Sequence, residues 1–219
     1  MPRFGAIFDW DGVVIDSSSA HEASWELLAR ERRLALPAGH FKAGFGRKSE
    51  YIIRNILGWT GDPAEARQLS VRKEELYRGV VRERGLEPLP GVREFLARLR
   101  ASAIPCAIGS STERRNIDAI LALTGLGGQF QAIVAADDVT AGKPDPQVFL
   151  LAAERIGVPP ARCVVLEDAL VGLEAARAGG MKCVGVATTH APEDLAGADI
   201  VARRLDEIGV EDLARLFGV

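Results

Sequence analysis

Asp9 and Asp11 stand two residues apart in the run Ile7-Phe8-Asp9-Trp10-Asp11-Gly12-Val13-Val14, just past a short apolar stretch that reads as a buried strand. Parallel strands of an α/β protein present their carboxyl ends to the ligand crevice, so carboxylates at this point are within a substrate's reach. Two crowded carboxylates repel, and unless a cation lies between them one tends to keep its proton, which suits a nucleophile beside a general acid/base. The pair asks for a metal and a phosphate. Taken alone, Asp beside Gly is equally turn chemistry.

Three further groups sit at comparable places in the chain. Ser110 and Ser111 follow the apolar run ending at Ile108-Gly109 and precede a helical pattern, so a hydroxyl and backbone N–H groups there make either an anion site or a plain helix cap. In Gly142-Lys143-Pro144-Asp145-Pro146 the prolines stiffen the approach to a helix, as a lysine needs if its charge is to be held beside a phosphate. Glu167 and Asp168 close the run Cys163 to Leu166. Four carboxylates, a lysine and a serine converging on strand ends would be hard to stabilise without Mg²⁺ and an anion to balance them.

The elements that must position these groups are legible from Pro90 onward. Val92, Phe95, Leu96 and Leu99 recur at helix spacing, Cys106–Gly109 reads as a buried strand, and Thr112 can cap a helix with Ile117, Ile120 and Leu121 on one face. A strand at Ala132–Ala136, a helix with Val148, Leu151 and Ala152, a strand at Cys163–Leu166, a helix from Ala169 and a strand at Lys182–Val186 follow. Such alternation predicts an α/β protein, a doubly wound parallel sheet. Small residues at Gly172, Ala175, Ala176, Ala178 and Gly179 predict a helix packed tightly on that sheet. The stretch 17–84 breaks the rhythm with helical patterns alone and reads as an inserted helical domain within a core of 1–16 and 85–219. In it Ser19 and Glu22 form a capping box for a helix that turns Ala23, Leu27 and Trp25 inward, a second helix spans Ser49–Leu57 and a third runs Pro63–Arg84. Trp25 and Trp59 are assigned to the core of this insertion.

The 219 residues carry a formal charge of −3 with no long run of Lys and Arg, which speaks against nucleic acid or a membrane surface as partner. Cys106, Cys163 and Cys183 lie in apolar runs without metal-ligand spacing and read as buried thiols in a reducing, cytoplasmic setting. No stretch has the ~18 apolar residues a membrane helix needs, and the start of the chain lacks a signal pattern.

With these blocks in order, the chain resembles the haloacid dehalogenase (HAD) superfamily of aspartyl-phosphate hydrolases, in the branch with a helical cap inserted after strand one. The likeness covers nearly the whole chain and rests on the joint occurrence of Asp9-Trp10-Asp11-Gly12, Ser110, Gly142-Lys143-Pro144-Asp145-Pro146 and Glu167-Asp168. It implies a Rossmann-like core, Asp9 as nucleophile and metal ligand, and Asp11 as general acid/base that also gives a carbonyl to Mg²⁺. It further implies Ser110 and Lys143 as holders of the phosphoryl group, Asp168 as metal ligand and Glu167 as ligand or ligand partner. Substrate contacts are expected at His21, Gly46, Arg47, Lys48 and Lys73 of the insertion and at Ser111 and Thr112 of the core. The implied partner is a small phosphorylated metabolite, handled by a monomer or weak homodimer.

Asp11 speaks against the haloalkanoic dehalogenases and phosphonoacetaldehyde hydrolases of the superfamily, which lack this acid. The beta-phosphoglucomutases are similar at His21 and Lys73, but carry a lysine where Glu113 stands here. A further likeness, to the plant and cyanobacterial phosphatases acting on 5-amino-6-(5-phospho-D-ribitylamino)uracil, runs through Ile56-Leu57-Gly58-Trp59, Asp62-Pro63-Ala64-Glu65, Arg72–Tyr77, Met181-Lys182-Cys183-Val184 and Arg203-Arg204-Leu205-Asp206-Glu207. A non-catalytic phosphometabolite sensor would tolerate loss of Asp9 or Asp11, and both are present.

Overall fold

The apolar runs become β1 Gly5–Phe8, β2 Cys106–Gly109, β3 Ala132–Val134, β4 Cys163–Glu167, β5 Lys182–Val186 and β6 Ile200–Ala202 in the computed structural model, which describes residues 4–44 and 47–219. The helices between them are α1 Ser18–Arg32, α2 His40–Gly44, α3 Ser49–Tyr51, α4 Pro63–Arg84, α5 Val92–Ala101, α6 Arg114–Thr124, α7 Gln147–Arg155, α8 Leu170–Ala178 and α9 Val210–Arg215. Among the described residues the strands form one parallel sheet in the order β3-β2-β1-β4-β5-β6. Chain order reverses beside β1, and at such a switch point the crevice opens beyond the carboxyl ends of the central strands. Strands β1, β2 and β4 are buried along their whole length, which is why they read as continuous apolar runs rather than alternating ones.

The chain divides into two compact units, Met1–Asp16 with Glu87–Val219, and Ser17–Leu86. In the first, α7 and α8 close one face of the sheet: Val148, Phe149, Ala152, Leu173 and Ala176 pack with Ile7, Ala107, Val165 and Cys183. In the second, α1 lies along α4, and Trp25, Leu28, Ile52, Ile53, Leu57, Ala66 and Leu69 form a core of their own with Trp59 against it. Asp62 caps α4 by accepting the Ala64 N–H at 2.9 Å, with Pro63 in the first helical position.

Several local expectations differ from the structure. β6 follows a loop too polar to announce a strand, and it adds an edge that the alternation does not require. In α1 the buried side chains are Ala20, Ser24, Trp25, Leu28 and Ala29, while Leu27 is exposed; the bulk of Trp25 sets the inward face one position away from that of Ala23 and Leu27. No side chain caps α1 at Ser17. The Ser49–Leu57 helix is α-helical only to Tyr51 and wound as a π-helix over Ile52–Ile56. Glu113, not Thr112, is the N-cap residue of α6.

Helix α8 shows why its small residues matter. A Cβ on Gly172 would come within 1.8 Å of Glu167 Oε1, so the carboxylate at the end of β4 occupies the space that any other residue would fill. On α4, Gly79 has no heavy atom within 4 Å of the same added carbon. One substitution therefore has opposite signs at two helical sites. Gly172→Ala is expected to destabilise by roughly 1–3 kcal/mol through overpacking, and Gly79→Ala to stabilise by about 0.5–1 kcal/mol through helix propensity. Urea melts of both variants check this; equal shifts of the same sign would contradict it.

Candidate active site

Asp9 follows β1 directly and its N–H donates to Leu166 O of β4 at 2.9 Å, so the central pair of strands fixes the backbone of the first acid. Glu167 ends β4 and Asp168 follows it; all three carboxyl groups are buried. One oxygen from each of Asp9, Glu167 and Asp168 can be chosen so that all lie within 4.8 Å of one another. Gly12, at φ +80°, admits Asp168: a Cβ there would lie 2.1 Å from Asp168 Oδ2.

Lys143 brings the positive charge. Its ammonium donates to Asp9 Oδ1 at 2.7 Å and to Glu167 Oε1 at 2.6 Å, with 7 % of its side chain exposed. It also lies 4.7 Å from the centroid of the Phe149 ring. Burial alone would lower its pKa, and the two carboxylates outweigh that and drive it above the ordinary lysine value. The Asp9 carboxyl is raised as well, here toward its neutral form: burial first, and Glu167 and Asp11 after it, lift it to about 7 against the pull of Lys143. Burial, with Glu167 and Asp9 beside it, raises Asp168 to about 8.

These values are the mark of excess negative charge in a dry place. The donors are all carboxylate oxygens, the set that hard divalent cations take, and a cation between Asp9 and Asp168 would let both ionise; the residues present fit such an ion. Glu167 is differently placed. Besides Lys143 on Oε1, its Oε2 accepts the Ala169 N–H at 2.7 Å, so both of its oxygens are already engaged by the protein.

The other sequence-predicted residues fall in several places. Ser110, 1 % exposed, follows β2, is tied to β3 by its N–H on Val134 O at 2.9 Å, and accepts the Thr112 N–H on its hydroxyl oxygen at 3.1 Å. Ser111 is half-buried beside it. The Asp11 carboxylate is outside the three-acid cluster; the Thr112 hydroxyl donates to its Oδ2, the bond that occupies Thr112 in place of a helix cap. Trp10, between the two acids, is fully buried core.

His21 and Lys73 meet inside the helical unit. Lys73 Nζ lies 2.6 Å from His21 Nδ1 and donates to Glu74 Oε1 at 2.9 Å, and the His21 ring stacks on Tyr77 at 4.0 Å. The Ser49 hydroxyl adds a bond to Glu74 Oε1 at 2.7 Å. Burial works to raise the Glu74 carboxyl, but Lys73 and His21, with the Lys73 and Ser49 hydrogen bonds, more than offset it and hold it down at about 2. Lys73 is thus a buried, paired cation. Arg47 is exposed with its guanidinium 4.8 Å from the Tyr51 ring centroid, and Lys48 is exposed; Gly46 lies outside the described residues. The three cysteines are buried and free, and burial pushes the Cys106 and Cys163 thiols up to about 12, far from nucleophilic at neutral pH.

Sequence reasoning missed Thr188, Thr189 and His190, which follow β5. The Thr188 hydroxyl donates to Gly12 O, the Thr189 hydroxyl to Asp168 Oδ2, and His190 Nδ1 lies 2.9 Å from Asp168 O. The signal was the one used for Asp9: polar residues just beyond a parallel strand.

The profile of the haloacid dehalogenase-like hydrolases matches residues 5–180. The chain is 38 % identical over 218 residues to the chloroplastic 5-amino-6-(5-phospho-D-ribitylamino)uracil phosphatase of Arabidopsis thaliana, covering 97 % of this chain and 57 % of that one. It thus spans little more than half the length of that relative. It is 36 % identical over 182 residues to the fructose-1-phosphate phosphatase YqaB of Escherichia coli, covering 83 % of this chain and 95 % of that one. A HAD hydrolase of family IA, variant 3, from Entamoeba histolytica superposes with a TM-score of 0.89 at 26 % identity over the full length of both chains. Matched along its length in sequence and in fold, the chain is a member of the haloacid dehalogenase-like hydrolases.

Proposed function

We propose that the chain is a Mg²⁺-dependent phosphatase that removes phosphate from a small phosphorylated metabolite by way of an aspartyl-phosphate. The observation that carries this reading is the buried ammonium of Lys143 bridging Asp9 and Glu167, with Asp168 in ligand range of Asp9. That arrangement puts a fixed positive charge beside a carboxylate standing at the open end of a parallel sheet.

Mg²⁺, held by Asp9, Asp168 and the backbone carbonyl of Asp11, would supply charge neutralisation at the phosphoryl oxygens. The rest is done by the chain's own groups. Lys143 and the Ser110 hydroxyl hold the phosphoryl group, and Asp9 attacks phosphorus in line with the departing oxygen. Asp11 gives that oxygen its proton, and the alcohol leaves. The carboxylate of Asp11 then takes a proton from water, whose oxygen attacks phosphorus, frees inorganic phosphate and restores Asp9. Thr112 keeps the Asp11 carboxyl in place through its hydroxyl, and Glu167 keeps Lys143 charged and aimed.

Among substrates, 5-amino-6-(5-phospho-D-ribitylamino)uracil is the first to test and a sugar phosphate such as fructose 1-phosphate the second, from the two relatives' activities. A mutase reading has less behind it, since Glu113 stands where the mutases carry lysine.

Purified protein is expected to release phosphate from an aryl phosphate with Mg²⁺, to stop on chelation by EDTA and to recover when Mg²⁺ is restored. Asp11→Asn is expected to lower kcat by about 10²–10⁴-fold and Asp9→Asn to abolish turnover, both with unchanged melting temperature to within a few degrees. Undiminished rates in both variants would overturn the assignment.

A pH dependence follows from the raised acids. Asp9 and Asp168 hold protons in the ion-free fold up to about 7 and 8, whereas the unfolded chain gives them up near 3.8. The folded form therefore binds more protons than the unfolded one, and ion-free stability falls as pH rises from the unfolded value through 8. Mg²⁺ binding needs both groups ionised and releases those protons. The rise in melting temperature caused by Mg²⁺ is expected to be larger at pH 8.5 than at pH 6; a rise independent of pH would contradict the charge assignment.

A further inference from the structure

Lys143 belongs to no helix or strand. It is carried by residues 140–146, a segment between the turn after β3 and the start of α7, yet its ammonium is fixed between two acids. One side chain at the end of that segment gathers its beginning. Gln147 Oε1 accepts the backbone N–H of Thr140 at 2.9 Å, that of Ala141 at 2.9 Å and the Thr140 hydroxyl at 3.2 Å. Inside the loop thus closed, Asp145 Oδ1 accepts the Gln147 N–H at 2.9 Å, and the Asp145 N–H donates to Gly142 O at 3.0 Å. Lys143 sits at the middle of this knot, two residues from Ala141 and two from Asp145.

We propose that Gln147 is a positioning residue for the phosphoryl-transfer reaction, holding the loop that delivers Lys143 to Asp9. The proposal rests on the reading of Lys143 as a holder of the phosphoryl group. Its chemistry is specific: the three bonds into the loop fall on the side-chain carbonyl oxygen, and none of them uses the amide nitrogen. A carboxylate of the same length can therefore do the work. Methionine matches the length and offers no such acceptor, and asparagine is a methylene short. Thr140 is exposed and Gln147 half-buried, so water can satisfy the freed N–H groups. Losing the side chain then releases the loop without emptying the core, and a displacement on the order of 1 Å at a reacting group can cost about 100-fold in rate.

The test compares Gln147→Met, Gln147→Asn and Gln147→Glu with wild type, and repeats Gln147→Met on a Lys143→Ala background. The readouts are kcat/KM for Mg²⁺-dependent aryl phosphate hydrolysis, measured under single turnover where slow, the inhibition constant of orthovanadate, and the melting temperature. Gln147→Met and Gln147→Asn are expected to lose on the order of 100-fold in kcat/KM and to weaken vanadate in parallel, while Gln147→Glu stays within a few-fold of wild type. On the Lys143→Ala background Gln147→Met is expected to add less than about threefold, because the group it positions is gone. A wild-type rate in Gln147→Met, or the same loss with and without Lys143, overturns the proposal. If Gln147→Met does not fold, Gln147→Asn against Gln147→Glu decides the matter by the same criterion. A wild-type rate in Lys143→Ala would instead overturn the underlying role of the lysine, whatever Gln147 does.

Discussion

The buried ammonium of Lys143 between Asp9 and Glu167 is the interaction on which the rest of the site depends. Taking a lysine and two carboxylates out of water costs several kcal/mol per ion unless each is answered by close partners. Here the distances are 2.7 and 2.6 Å, and Glu167 is further satisfied by the Ala169 N–H. That still leaves Asp168, and with it more negative charge than one lysine can balance. The fold tolerates this because the imbalance can be met by protons on Asp9 and Asp168, or by a cation in their place. The three acids thus leave the site suited to a cation.

Much of the surrounding structure is a consequence of making room for those ions. The approach of α8 to β4 is possible only because position 172 has no side chain, and Asp168 reaches the loop after β1 only because position 12 has none. The hydroxyls of Thr112 and Thr189 each donate to a carboxylate, of Asp11 and Asp168 respectively. Polar groups at the ends of β1, β2, β4 and β5 are thereby tied to one another, while the strands beneath them are apolar and buried. The helical unit solves a similar problem separately: Lys73 and Glu74 are buried side by side and answered by His21 and Ser49.

The parallel sheet was legible because strands buried on both faces leave uninterrupted apolar runs, and the acids because they directly follow such runs. β6 was not legible: Ile200 and Ala202 are only partly buried and Val201 is exposed, and the three carry no pattern strong enough to separate a strand from a loop. The face of α1 turned on the size of Trp25, which periodicity alone does not weigh. Thr112 was read as a cap because threonine is common there, but a cap is a local bond and Asp11, 101 residues away in sequence, competed for the same hydroxyl. Lys73 was read as a substrate contact of the insertion, and its burial was not legible, since nothing in one helix shows that Trp25 and Tyr77 close over it at 5.2 and 5.4 Å. The grouping of Asp9, Glu167 and Asp168 followed from strand ends meeting at the switch point, and Lys143 from the prolines that stiffen its segment; Gln147 was hidden because its proposed role is made of backbone bonds.

In the proposed reaction Asp9 itself becomes phosphorylated during turnover. Rapid acid quench of the working enzyme, followed by borohydride reduction and peptide mass spectrometry, reads this directly, because an aspartyl-phosphate is reduced to homoserine. Homoserine is expected at position 9, appearing with substrate and Mg²⁺ and absent without either. Homoserine at another aspartate, or an unmodified Asp9 in enzyme trapped during a pre-steady-state burst of alcohol release, would contradict it.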